Sequence, residues 1–337
     1  MRIRLVAVLA VVAVLAVLGV SAAAFAPGER AAVLLTIADS RITESSGLAA
    51  SVRHPGVLYT HNDSGDAPRV FAIGPDGRVR ATLTLRGAQA RDWEAIAVGR
   101  DAAGRPALLL GDIGDNLHGA WPSVSVYRVT EPAVLRDATL AATRYRFRYA
   151  DGARDAEALL VDPRTNRLYV ASKEATGGGL YQAPAVLRSD RVNVLRRVAS
   201  LPPTVTDGAF SPDGRTFVVR DYVEAHAYTA AGKPIATFDL PLQLQGESIT
   251  YTRDGTHVLV GSEGVGSKVW RVPLPAAVAP KPSTAPGTPT SRAPAAPASS
   301  EPATQATGGS HRARDAAVLV AVAGVAALLV RAARRRR

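Results

Sequence analysis

Residues 91–116 read RDWEAIAVGRDAAGRPALLLGDIGDN, and this stretch decides the fold. It begins with acidic residues, continues as an apolar strand and a polar turn, and ends with a second apolar strand and an acidic, glycine-containing loop. Short apolar runs bounded by Asp, Gly and Pro are typical of β-strands joined by tight turns. The same pattern occurs five times along the chain, so we interpret it as a structural repeat.

Each repeat contains three or four candidate strands separated by turn signals. Pro75-Asp76-Gly77, Pro212-Asp213-Gly214 and Asp254-Gly255 are examples of such signals. Asp-Gly pairs favour hairpins because tight turns need positive φ. Repeats of about 40 to 60 residues with four strands each are the signature of a β-propeller. We therefore predict an all-β fold, a five-bladed β-propeller over residues 32–275.

The fifth repeat shows only three candidate strands. The isolated apolar run from Ala32 to Ile37 can supply the fourth strand, which would close the ring and cover exposed strand edges. The second repeat is longer than the others because of the stretch from Ala133 to Thr143. If that stretch conceals a further blade, the propeller has six blades, and this alternative stays open.

The two ends of the chain predict export and a membrane anchor. Residues 1–24 combine Arg2 and Arg4, a long apolar run and small residues, as in a signal peptide. The apolar run is also long enough for an uncleaved anchor. At the other end, residues 315–331 form an apolar segment that predicts a transmembrane helix, and the arginines of residues 332–337 predict a cytoplasmic tail.

Between the propeller and the predicted helix, residues 276–314 are rich in Pro, Ala, Ser and Thr. Such a composition buries too little apolar surface to fold, so we expect an extended stalk. The predicted location is therefore the cell membrane, with one span, the propeller outside and the C-terminal tail in the cytoplasm.

The net charge of the whole chain differs from that of the predicted propeller. The formal net charge is +11, but residues 25–275 carry 29 Lys and Arg against 27 Asp and Glu. The excess of basic residues lies at the two ends and in the stalk. This distribution argues against a nucleic-acid partner. The chain has no cysteine, which excludes disulfides, thiolate metal sites and a cysteine nucleophile.

Acidic residues recur just before the first strand and just after the second strand of each repeat. These two positions meet at one mouth of a propeller channel, where carboxylates at this density need a balancing charge. Calcium suits clustered carboxylate oxygens, while pairing with nearby Arg and Lys or capping of turn amides are the alternatives. The predicted metal-ligating residues are Glu44, Asp63, Asp66, Asp92, Glu94, Asp112, Asp115, Glu157, Asp207, Glu247 and Glu263.

A second group of side chains at the predicted mouth is suited to binding a ligand. It comprises the basic residues Arg91, Lys173 and Arg220, together with Trp93 and His61. His61, like His118 after the second acidic loop, could exchange a proton near neutral pH. The sequence contains no Gly-x-Ser-x-Gly elbow, P-loop, dinucleotide fingerprint or His-Glu-x-x-His motif, so no catalytic residue is predicted.

Several of these motifs together resemble a known group of proteins. They are Glu44-Ser45-Ser46-Gly47-Leu48, residues 61–66, residues 92–97, residues 111–116 and residues 155–159. They are similar to exported bacterial β-propellers of the WD40-like and phytase-like (esterase-like) type. The resemblance implies a propeller over about residues 32–275, and for the phytase-like members an acidic mouth that holds calcium and, through it, phosphate.

Three functions remain open at this stage. The first is a membrane-anchored module that binds a small molecule or protein at an acidic, calcium-loaded mouth. The alternative is a metal-dependent phosphoesterase, and the third is a structural module for adhesion or assembly. The sequence does not identify the ligand.

Overall fold

The computed structural model describes residues 29–117 and 119–280, and within these residues the regular structure consists of β-strands. No helix in this part of the chain is long and apolar enough to cross a membrane. The predicted signal peptide, the stalk beyond residue 280, the transmembrane helix and the basic tail lie outside the described residues, as does His118.

The strands form antiparallel arrays of four that follow one another along the chain. The first array contains β2 (Ala49–Ala50), β3 (Leu58–Thr60), β4 (Arg69–Ile73) and β5 (Val79–Arg86). The second contains β6 (Trp93–Arg100), β7 (Pro106–Asp112), β8 (Val124–Thr130) and β10 (Thr143–Tyr149). The third contains β11 (Ala156–Asp162), β12 (Arg167–Ser172), β13 (Gly179–Gln182) and β14 (Val192–Ser200).

The fourth array contains β15 (Asp207–Phe210), β16 (Thr216–Arg220), β17 (Glu224–Thr229) and β18 (Pro234–Asp239). The last contains β19 (Gly246–Tyr251), β20 (His257–Ser262) and β21 (Lys268–Pro273), completed by β1 (Ala32–Thr36) from the start of the chain. β1 pairs antiparallel with β21, with Ala32 opposite Arg271 and Thr36 opposite Lys268. The predicted pairing of the N-terminal strand with the last repeat is therefore confirmed.

The longer second repeat contributes one extra strand. β9 (Ala138–Ala141) lies within the stretch from Ala133 to Thr143 and pairs in parallel with β5 of the first array. A second parallel pairing, between β10 and β14, joins the outer strands of the second and third arrays into one eight-stranded sheet. Neighbouring arrays are thus connected by hydrogen bonds at their outer edges as well as by packing.

The first strands of the arrays contact one another in sequence order. β2 contacts β6, β6 contacts β11, β11 contacts β15, β15 contacts β19, and β19 contacts β2. A cavity between them is lined by residues of all these strands, among them Ala49, Ile96, Leu160, Ala209 and Thr250. This arrangement of sheets around a central channel is a propeller-like all-β architecture.

The apolar core consists of layers between neighbouring arrays. One layer packs Tyr59 of the first array against Leu110 of the second, and comparable layers lie between the later arrays. The layer that closes the molecule joins Leu35 and Val269 to Phe71. Because burial of one such side chain contributes about 1.5 to 3 kcal/mol, these layers hold the sheets in the positions that bring their first strands together.

Candidate functional site

Three of the first strands carry a glutamate at a register irregularity. The pairing of β6 with β7 skips from Trp93 to Ala95, which leaves Glu94 as the extra residue. The same happens at Glu157 in β11 and at Glu247 in β19. A β-bulge turns the extra residue out of the regular alternation, and bulges of this kind often aim side chains at a functional site. All three glutamates are buried, as is Asp207 at the start of β15.

The first cluster of candidate site residues consists of Asp63, Asp92 and Glu94, and we call it the three-acid group. One carboxylate oxygen from each residue lies within 4.8 Å of those of the other two. The three residues are only 0%, 5% and 2% exposed. Glu94 Oε1 is buried and has no hydrogen-bond partner among the described residues. Such an atom is costly to keep desolvated unless something binds it.

Gly114 lies close to these oxygens, and a side chain at this position would displace them. A Cβ atom built on Gly114 would lie 2.5 Å from Asp92 Oδ2 and 2.5 Å from Glu94 Oε1. Gly114 does not have the positive φ that would by itself require glycine. The absence of a side chain at this position is therefore explained by the close approach of the two carboxylates. Asn116 donates a hydrogen bond of 3.3 Å to Asp92 Oδ2 from the same loop.

Burial dominates the electrostatics of the glutamates. It raises the pKa of Glu94 well above its usual 4.5, and the charges of Glu157, Asp92 and Asp155 raise this pKa further. Burial and Glu247 raise the pKa of Glu263 to about 8. The interacting residues come from three different arrays, so the structure brings these sequence-predicted acids together. Because these carboxyl groups lie near one another, each opposes the ionisation of the others unless a cation balances their charge.

The second cluster of candidate site residues surrounds Lys173, and we call it the Lys173 cluster. Its members are Lys173, Glu157, Glu247 and Tyr222. Lys173 Nζ lies 2.5 Å from Glu157 Oε1, and the lysine side chain is 12% exposed. The same ammonium lies 5.3 Å from the centroid of the Tyr222 ring. Interaction with Glu157 and Glu247 raises the pKa of Lys173 well above its usual value despite its burial, so the ammonium stays charged.

Arg220 is fully buried and has many hydrogen-bond acceptors around it. Its guanidinium donates to the backbone carbonyl groups of Asp221, Ser248 and Gly261, among others, and to Gln243 Oε1. The arginine thus connects the fourth and last arrays. Asp207, paired with Arg220 across β15 and β16, accepts bonds from the backbone amides of Gly208 and Ile249. Both side chains are held by the protein itself.

The other predicted ligand-binding residues lie near the three-acid group. Trp93 is buried, and its indole Nε1 donates a 2.8 Å hydrogen bond to the Gln89 carbonyl. Its ring contacts His61 edge-on at 5.9 Å. Burial lowers the pKa of His61 to about 4, so its imidazole is neutral. Arg91 stacks on Trp121 at 4.3 Å and lies 3.9 Å from Asp112.

The remaining predicted metal ligands have protein partners in the structure. Glu44 and Asp66 lie in the region of the first array, where Glu44 accepts from the Ser64 amide and Asp66 pairs with Arg69. In the second array Asp112 accepts from the Asp92 amide, and Asp115 accepts from the Trp121 amide. Glu263 accepts a 2.9 Å bond from the Ser46 hydroxyl.

Gly114 and Tyr222 are the two site residues that the sequence did not predict. The glycine spacing in residues 111–114 is a signal that could have identified Gly114, because the second glycine lies between two acidic positions. Nothing in the sequence distinguishes Tyr222 from the other tyrosines. Its role depends on the packing of the third array against the fourth.

A second acidic group, formed by Asp221, Glu224 and His226, lies outside the buried region. His226 Nε2 lies 3.1 Å from Asp221 Oδ2, and Asp221 Oδ1 accepts from the amides of Val223 and Glu224. These contacts are those of a turn that satisfies its own polar groups. Asp221 therefore provides a useful contrast with Glu94.

Fold and site together define a propeller-like all-β protein with a buried acidic centre. No family model and no curated protein sequence matches the chain. Among solved structures, it is similar to a gluconolactonase from Xanthomonas campestris, with 14% sequence identity and a TM-score of 0.41, over 77% of this chain and 99% of the neighbour.

Proposed function

We propose that this chain is a five-bladed propeller that binds one divalent cation, calcium foremost, at the three-acid group. The observation that carries the proposal is the unpartnered, buried Glu94 Oε1 beside Asp63 and Asp92. A cation would supply the missing partner of this oxygen. It would also offset the repulsion between carboxylates that burial otherwise intensifies.

The chemistry of the donors favours a hard cation. The group offers carboxylate oxygens, and calcium takes about six to eight oxygen ligands in flexible geometries. The absence of a side chain at Gly114 lets the backbone of the 111–116 loop approach Asp92 Oδ2 and Glu94 Oε1 closely without pushing the two oxygens apart. Burial keeps His61 neutral, so it adds no competing positive charge near Trp93.

The cation in turn provides a binding point for a ligand. Three carboxylates fill at most six coordination positions, and fewer when they bind through one oxygen each. The open positions would take water or an oxygen-bearing group of a small molecule or protein. We therefore propose a ligand-binding module whose cation recruits oxygen donors at the channel mouth.

The setting that we propose for this module is the outer side of the cell membrane. The proposal is supported by the sequence pattern of residues 1–24, 276–314 and 315–337, which suits a signal, a stalk and an anchor with a basic cytoplasmic end. Membrane fractionation of cells that express the full chain tests it. The full chain is expected in the membrane pellet after an alkaline wash, and a chain truncated after residue 314 in the soluble fraction.

Calorimetric titration of the full chain, purified in mild detergent and stripped with chelator, tests cation binding. We expect one calcium ion per chain, and at least a tenfold loss of affinity for Asp92→Asn and for Glu94→Gln. Asp221→Asn is the matched control, because it neutralises an acid of the other three-residue group and is expected to leave the titration unchanged. Absence of calcium, magnesium and manganese binding by the wild-type chain would refute the proposal.

A further inference from the structure

Lys173 occupies a position where a bound cation would be expected. It follows β12 directly, and its backbone amide donates a 3.1 Å hydrogen bond to the Asp155 carbonyl. This bond fixes the start of the side chain at the edge of the third array. The ammonium then meets the carboxylate of Glu157 and the ring of Tyr222.

The ammonium also acts on carboxylates of other arrays. Burial raises the pKa of Glu247 in the last array and of Glu94 in the second, and the charge of Lys173 opposes both shifts. Glu263, which follows β20, is affected in the same way. Lys173 is thus a shared counter-ion for carboxylates contributed by separate sheets.

The surroundings match what a primary ammonium ion requires. The Glu157 carboxylate contacts the ammonium directly, and the charge of Glu247 also acts on it. The centroid of the Tyr222 ring lies 5.3 Å from the ammonium, within the range of a cation–π interaction. A compact ammonium on a flexible stem suits these surroundings. This position is therefore a cation site in its own right, and the protein fills it with its own side chain.

We infer that Lys173 is a tethered cation occupying a second cation subsite, formed by Glu157, Glu247 and Tyr222, and that it limits the wild-type chain to one divalent cation. Without the lysine side chain, this subsite takes a small primary alkylammonium ion or a second divalent cation. The count of divalent cations rests on the proposed function, and the ammonium subsite does not.

Chemical rescue of Lys173→Ala tests the ammonium subsite. Propylammonium restores the atoms that the alanine lacks, from Cγ to Nζ. Loss of one partner of a buried ion pair is expected to lower the melting temperature of the full chain by roughly 6 to 20 °C. Millimolar propylammonium should restore most of this loss in a saturable manner, while tetramethylammonium, which has no N–H donor, should not.

Two control proteins accompany this measurement. Lys233→Ala removes an exposed lysine and should respond to neither ion, as should the wild-type chain. Equal stabilisation of Lys173→Ala and wild type by propylammonium would overturn the ammonium subsite, since the effect would then be a general one. If Lys173→Ala folds only when propylammonium is present, the subsite is supported.

Lys173→Met provides the second measurement and does not depend on rescue. Methionine fills the stem of the lysine and leaves the ammonium position open, so calorimetry should count two calcium ions per chain instead of one. A count of one, together with failed rescue, would refute the inference and leave the proposed function intact. Successful rescue with no calcium bound to wild type would refute the proposed function and leave the ammonium subsite intact.

Discussion

Replacement of Gly114 by alanine is the most direct perturbation of the three-acid group, because it changes no charge. The new Cβ would lie 2.5 Å from Asp92 Oδ2 and from Glu94 Oε1, whereas Cβ contacts below 3.0 Å essentially never occur. Each carboxylate must therefore retreat by at least about half an ångström. Overpacking of this kind costs about 1 to 3 kcal/mol, less where flexible side chains can yield.

The effect on cation binding can be measured separately from the effect on folding. A calcium ion at 100 times its dissociation constant stabilises a protein by about 2.7 kcal/mol. For a domain of this size that corresponds to a rise of roughly 5 to 10 °C in melting temperature. We expect Gly114→Ala to lose most of this rise, because the displaced oxygens can no longer converge on one ion.

Differential scanning calorimetry of the full chain, with calcium and with chelator, measures the difference. Gly111→Ala is the matched control from the same loop, since its Cβ would meet apolar Ile113 atoms at 3.2 and 3.3 Å and the methyl group of Ala95 at 3.6 Å. It should keep the full calcium response whatever its basal stability. If Gly114→Ala kept the wild-type calcium response, the cation would not lie between Asp92 and Glu94, and the proposed site would be wrong.

Three further predictions follow from the same structure. In chelator, the free energy of unfolding should fall as pH rises from about 5 to 8, because acids with raised pKa values, such as Glu94 and Glu263 (about 8), hold more protons in the folded than in the unfolded state. The urea midpoints at the two pH values test this prediction. Calcium should reverse the trend. Leu35→Ala should lower the free energy of unfolding by about 2 to 5 kcal/mol, measured by urea denaturation, because it empties part of the closing core layer, whereas Leu34→Ala, at an exposed position of the same strand, should have little effect. Full-chain assays with p-nitrophenyl phosphate should show no chelator-sensitive turnover, because Lys173 and Arg220 are held by protein acceptors; sustained turnover that chelator abolishes would instead support a phosphoesterase.

The repeated pattern made the all-β architecture predictable from the sequence. Alternating apolar runs and Asp-Gly turns indicate strands and hairpins through local chemistry, and the missing strand of the last repeat indicated the role of β1. The extra strand β9 was harder to anticipate. Its parallel pairing with β5 joins segments more than fifty residues apart, and no local signal encodes such a partner.

The sequence predicts which acidic residues form the candidate site. It does not predict which of them pair with other groups of the protein. Position in the repeat predicts that Glu94, Glu157 and Glu247 approach one another, because equivalent residues of successive arrays face the same channel. It does not predict which acid is paired, because that depends on the reach of single side chains such as Lys173. The close approach of Gly114 to the carboxylates likewise arises from the folding of the 111–116 loop over the start of β6.

Two ways in which a protein can tolerate a buried carboxylate are present here, in different arrays. Backbone amides of Gly208 and Ile249 hold Asp207. An ammonium holds Glu157. Neither an amide nor an ammonium donates a hydrogen bond to Glu94 Oε1, although burial raises the pKa of Glu94 well above its usual value. Because Asp207 and Glu157 are satisfied by the chain itself, the unpartnered oxygen of Glu94 is the observation that sets this carboxylate apart and on which the proposed cation site rests.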